Sequence, residues 1–255
     1  MWVVLRFQSI LTIGLVCCAT VLSGVGLVAA SGSSQPLRQP TAEDRVIWSV
    51  STTVPDIAIT FDDGPDPTYT PRVLTVLRDH RAVATFFVLG RQARVYPGLV
   101  KQEAAQGSEV CSHGWSHAKF RRMTMAAVQA EVTRTESLLR QLGVSGCHLF
   151  RFPYFMSDAT ARAAVAALGY GLIGANVDTQ DWCRRNAGVM AREVLDRVHP
   201  GDIILLHDGG GVRSASVEAL RLILDGLPSK GLRPVTVSQL LAVAQRGSTP
   251  APEEE

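Results

Sequence analysis

The sequence predicts an α/β domain whose parallel strands close into a barrel. Two observations carry this. Short β-rich runs alternate with amphipathic helical patterns from Val54 onward, and that alternation implies a parallel sheet. About seven such units over roughly 190 residues suit a closed barrel better than an open sheet. A third observation concerns function. Asp62 and Asp63, His113, Arg151, Asp178 and His207 each fall at or just past the C-terminal end of a predicted strand, the face on which βα barrels build their sites.

In chain order, Met1 to Ala30 holds one charged side chain, Arg6, and a long apolar run. Val28-Ala29-Ala30 before Ser31 has the small-residue form of a signal-peptidase site. The run from Phe7 to Ala30 is also long enough to span a bilayer as an uncleaved anchor. Either reading exports the domain. Residues 31–52, rich in Ser, Gly, Gln and Pro, read as a flexible linker. The domain is placed at 53–246 and a disordered acidic tail at 247–255.

Within the domain, strands are predicted near 57–61, 83–89, 108–112, 147–152, 171–177, 202–206 and 233–236. Helices are predicted over 71–81, 96–106, 124–142, 158–168, 187–198, 214–227 and 237–245. Pro71 and Ser214 serve as starts, and Gly107, Gly143 and Gly169 as stops.

The net charge of +2 gives no case for nucleic acid. Five cysteines occur without a CxxC spacing, which argues against a structural zinc site. Cys111 and Cys147 lie on successive predicted strands and can pair in an oxidising compartment, leaving Cys183 free beside Trp182.

Taken singly, the polar blocks are ambiguous. Asp62-Asp63-Gly64-Pro65 is either a solvated turn or a carboxylate pair with divided roles. His113 and His117 are four apart and would share one face of a helix, so one cation could take both; an exposed His pair is the alternative. Arg151 is a surface ion-pair partner or the holder of a buried carboxylate, Trp182 a core side chain or a cleft wall, and His207 a structural or a titrating histidine.

Five blocks stand in order: Thr60-Phe61-Asp62-Asp63, His113-Gly114-Trp115-Ser116-His117, Arg151-Phe152-Pro153-Tyr154, Asp178-Thr179-Gln180-Asp181-Trp182 and Leu205-Leu206-His207-Asp208. Together they resemble the motifs of the polysaccharide deacetylase family, the NodB-homology domain of carbohydrate esterase family 4, from about Val54 to Val243. The resemblance implies an irregular (β/α) barrel with about seven strands and a metal-dependent hydrolase. Its substrate would be N-acetylglucosamine residues of peptidoglycan or a chitin-type glycan.

It implies Asp63, His113 and His117 as ligands of a divalent metal, zinc by default, with cobalt, nickel or manganese also compatible. It implies Asp62 as general base, oriented bidentately by Arg151, and His207 as general acid, paired with Asp181. The Tyr154 N–H would face the oxyanion, and Trp182 and Leu205 the acetyl group. Two departures stand out. Gly114 replaces a usual Ser or Thr, which would loosen the loop, and Phe155 replaces a usual Gly, which would narrow the groove. O-acetyl xylan esterases share these motifs, and an inactive glycan-binding protein is the alternative of another class. The protein is expected to be exported, secreted or attached to the outer face of the cell membrane, and monomeric by default.

Overall fold

The structure is a computed structural model that describes residues 45–144, 146–183 and 185–247. The leader, most of the linker and the tail beyond Gly247 lie outside the described residues. Among the described residues no helix is long and apolar enough to cross a membrane.

The strands are β1 (Val46–Ile47), β2 (Asp56–Asp62), β3 (Thr85–Val88), β4 (Glu109–Ser112), β5 (Leu149–Phe150), β6 (Gly171–Ile173), β7 (Val177–Asp178), β8 (Ile203–His207) and β9 (Arg233–Val235). The helices are α1 (Thr70–Asp79), α2 (Gly90–Val95), α3 (Pro97–Ala105), α4 (Met125–Gln141), α5 (Ala159–Ala166), α6 (Ala187–Arg197), α7 (Ser214–Gly226) and α8 (Val237–Gly247). All seven expected strands and all seven expected helices are present. The short helix α2 was not expected, and the run at 171–177 divides into β6 and β7.

The sheet order is β1-β6-β5-β4-β3-β2-β8-β7, and these strands pair in parallel. Ala58 pairs with Ile203 of β8 on one side and Val235 of β9 on the other, so β9 extends the β3 side of β2 toward its N-terminal end. The expected closure is incomplete, because β6 and β7 are not paired with each other. β1 occupies the β6 edge there instead. Val46 and Ile47 lie in the stretch read as linker, yet they pair with Leu172 and Ile173, and Ser49 bridges Asp202. Nothing local demanded this strand; the free edge of β6 supplied its hydrogen bonds.

Side-chain parity explains how the sheet aims its polar residues. Successive strand residues face opposite sides. Ile57, Ile59, Phe61, Phe86, Val88, Ile204 and Leu206 face outward into a core shared with Val73 and Leu77 of α1, Val194 of α6 and Leu220 of α7. Ala58, Phe87, Cys111, Leu149, Ile173, Ile203 and Leu205 face inward. Continuing the inward parity along these strands reaches Asp62, His113, Arg151 and His207. β2 is buried on both faces throughout, as a central parallel strand requires.

α8 closes the far end. Its Val237 and Leu240 join the inner cluster, and its first N–H donates to Thr85 Oγ1 at the start of β3 (2.9 Å). Cys111 and Cys147 form a disulfide inside the curled sheet, with Cα atoms 5.3 Å apart. Cys183 is free and exposed. Helix starts follow local chemistry. The side chains of Thr124, Asp158 and Asn186 cap α4, α5 and α6 by accepting from Ala127, Ala161 and Val189 N–H groups.

Candidate active site

A cavity of about 660 Å³ opens at the C-terminal ends of the strands. Asp62, Asp63, His113, His117, Tyr154, Phe155, Asp178, Trp182, Leu205 and His207 all line it. Residues from five distant blocks thus meet in one place. Asp62 and His207 are direct register partners across β2 and β8.

Arg151 organises the inner wall. It is fully buried and lies over the Phe87 ring, 4.2 Å from the centroid. One terminal nitrogen donates to Thr60 Oγ1 (2.7 Å) and Asp62 Oδ1 (2.8 Å); the other donates to Gly174 O (2.7 Å). The expected bidentate grip on Asp62 is therefore a single charged hydrogen bond. The guanidinium is divided among three acceptors because β2 and the β6–β7 connection both face it. Burial pulls the Arg151 pKa down, and the adjoining Asp62 opposes that pull.

His113 is buried, and its Nδ1 hydrogen-bonds Arg151 O (2.8 Å). That bond assigns the proton to Nδ1 and leaves Nε2 with a free lone pair. Burial lowers its pKa, which favours the neutral ring. Asp63 Oδ1 lies 3.7 Å from His113 Nε2 and 3.0 Å from His117 Nε2. This buried oxygen nonetheless lacks an aligned hydrogen-bond donor among the described residues. Burial alone would raise the Asp63 pKa, but His117, His113 and His207 outweigh it and hold the carboxyl well below its usual range.

Three ligand atoms that converge on a point, without pairing along N–H···O lines, suit a shared cation. Bonds of about 2.1 Å at tetrahedral angles put ligand atoms roughly 3.4 Å apart, between the two observed separations. The residues present fit a divalent metal.

The expected helical spacing of the two histidines is not what unites them. The segment after β4 is a loop, and His117 has a φ of 63°. The loop is tied down from α4. Glu131 accepts from the backbone N–H groups of Trp115 and Ser116 (2.9 Å each) and from Ser116 Oγ (2.9 Å). Gly114 therefore does not leave the loop unbraced. Its φ is 84°, and a Cβ there would lie 3.1 Å from Phe120 Cζ, so a Ser or Thr here would be strained and would crowd the Phe120 ring. Glu131 carried no sequence signal, since it lies mid-helix among other polar residues.

On the opposite side, Asp181 Oδ1 hydrogen-bonds His207 Nδ1 (2.7 Å), and Oδ2 accepts the His207 N–H (2.8 Å) and Ser216 Oγ (2.6 Å). Burial depresses the His207 pKa, but Asp181 outweighs it and the net direction is upward. Tyr154 adopts a left-handed conformation (φ 59°) inside the turn Pro153–Phe155. Its N–H donates to no acceptor among the described residues, and its ring meets His117 edge-on at 4.4 Å. Trp182 is 56% exposed, which makes it a cleft wall and not a core side chain. Phe155 lines the cavity. Leu89, Arg91, Gly210 and Arg213 also line it, and the sequence had not singled them out.

Comparison with known proteins gives the same reading. The polysaccharide deacetylase family model matches residues 49–173. A peptidoglycan-N-acetylglucosamine deacetylase of Bacillus cereus is 39% identical over 199 residues, covering 77% of this chain and 92% of that protein. The chain belongs to the polysaccharide deacetylase family. A chitooligosaccharide deacetylase of Sinorhizobium fredii is 34% identical over 73% of this chain and 92% of its own length. Among solved polysaccharide deacetylases, a peptidoglycan N-acetylglucosamine deacetylase in complex with 4-naphthalen-1-yl-N-oxidanyl-benzamide superposes with a TM-score of 0.73. The two are 31% identical over 76% of this chain and 91% of that one.

Proposed function

We propose that this polysaccharide deacetylase removes N-acetyl groups from N-acetylglucosamine residues of peptidoglycan or a chitin-type glycan. One observation carries the reading. A carboxylate held by Arg151, an imidazole held by Asp181 and a two-His, one-Asp cation site share one cavity.

Asp63, His113 and His117 would hold the ion, and zinc is the ion this ligand set favours. Bound there, it supplies Lewis-acid chemistry, polarising the acetyl carbonyl and acidifying water. Asp62 takes the proton from the attacking water. Its Oδ1 is committed to Arg151, which leaves Oδ2 for the proton. Tyr154 N–H donates to the carbonyl oxygen as negative charge develops on it. His207 hands a proton to the departing nitrogen, so that the C–N bond breaks to acetate and a free amine. Its raised pKa keeps the acid form populated near neutrality. Trp182 and Leu205 flank the acetyl methyl.

The leader, as signal or anchor, would place the enzyme outside the cytoplasm. The Cys111–Cys147 disulfide supports an oxidising compartment. The test is acetate release from N-acetylglucosamine oligomers and from peptidoglycan, with added zinc, with a chelator, and with Asp62→Asn. Release that requires both zinc and Asp62 is expected. A protein that binds zinc but releases no acetate from either glycan would overturn the assignment.

A further inference from the structure

Trp48 lies just before the family-matched residues 49–173, immediately after the strand recruited from the linker. β1 runs parallel to β6, so its C-terminal end opens on the face that carries the cavity. Gly174 N–H donates to Ile47 O (2.7 Å), which fixes the next residue against the β6 end. The Trp48 indole then lies across Gly174. A Cβ at 174 would stand 2.3 Å from Trp48 Cε3, so only glycine admits the ring. The indole also meets Phe155, with centroids 5.2 Å apart at 57°. Phe155 lines the cavity with Asp62, His113 and His207.

Trp48 remains 45% exposed. One side is seated on Gly174 and Phe155, and the rest meets solvent. A large aromatic held in place yet left open is a preorganised stacking face, and binding to it immobilises no flexible side chain. The axial C–H groups of a pyranose pack on such faces. Asp178, on the same cavity, supplies a carboxylate to accept sugar hydroxyls.

We propose that Trp48 and Phe155 form a glycan subsite that stacks the pyranose ring adjoining the one whose acetyl group is removed. This rests on the deacetylase reading and adds a selector for chain length to it.

The experiment compares kcat/KM for acetate release from the N-acetylglucosamine dimer and tetramer. Trp48→Ala and Phe155→Gly should each lower the tetramer-to-dimer ratio of kcat/KM about tenfold, chiefly through KM. Equal losses on both oligomers would show that the pair merely fastens β1, and would overturn the subsite. Binding is read separately in an Asp62→Asn background, by titrating tryptophan fluorescence with the tetramer. A saturable change that is lost in Trp48→Phe supports the subsite; a titration identical in both proteins overturns it. If the wild type releases no acetate from any oligomer, the deacetylase reading fails while the titration still decides the subsite.

Discussion

Asp208→Asn tests the electrostatics beneath the cavity. Asp208 follows His207 and is buried. Its Oδ2 accepts from Thr70 Oγ1, while Oδ1 has no donor among the described residues. Glu103 on α3 is also fully buried, with neither carboxylate oxygen hydrogen-bonded among the described residues, and burial together with the Asp208 charge raises its pKa. Burial, opposed by the Thr70 hydrogen bond and reinforced by the Asp63 charge, pushes the Asp208 carboxyl from 3.8 up to about 7.

Between these values the folded protein keeps a proton that the unfolded chain has released. Stability from this group therefore falls as pH rises from about 4 to about 7, and levels off above that. The full difference is about 4 kcal/mol, of which more than half falls between pH 5 and pH 8. Asn keeps the shape and removes the charge. Urea unfolding of chelator-treated protein, followed by circular dichroism, should show the wild type losing roughly 2–3 kcal/mol more than Asp208→Asn over that interval. In a domain of this size that corresponds to roughly 5–10 °C in Tm. Parallel stability curves for the two proteins from pH 5 to pH 8 would refute the reasoning.

Other expectations rest on individual contacts. Asp181→Asn removes the counter-charge of His207, so the acid form is lost at lower pH. The alkaline limb of the kcat profile for acetate release should move to lower pH, and an unmoved limb would deny Asp181 this role. Glu131→Ala unties the loop that carries His117 and should weaken zinc binding about 10- to 100-fold, measured by competition with a chromogenic chelator. Joint replacement of Cys111 and Cys147 by Ala opens a loop spanning 36 residues. It should lower unfolding free energy by about 4 kcal/mol in urea titrations. Asp158→Ala removes the α5 cap together with the tie to Arg122 N–H (2.8 Å), and should cost about 1 kcal/mol, read as a small fall in Tm.

The sequence by itself determined the alternation of strands and helices and the set of polar residues at the strand ends. Both are local properties. Apolar runs of strand length, capping side chains and glycine stops act within a few residues. Once the strands are parallel, chain direction alone collects Asp62, His113, Arg151, Asp178 and His207 on one face, and parity turns most of them inward. Only the tertiary structure decided the rest. The Asp62–His207 register, the division of Arg151 among three acceptors, the Glu131 tie on the His117 loop and the burial of Asp208 beside Glu103 join residues remote in sequence. β1 shows the point most sharply. Val46 and Ile47 sit in a stretch with the composition of a linker, and they form a strand because β6 offers an unpaired edge. A backbone hydrogen bond or a buried charge takes its free energy from the partner it meets, and that partner is set by packing across the whole domain.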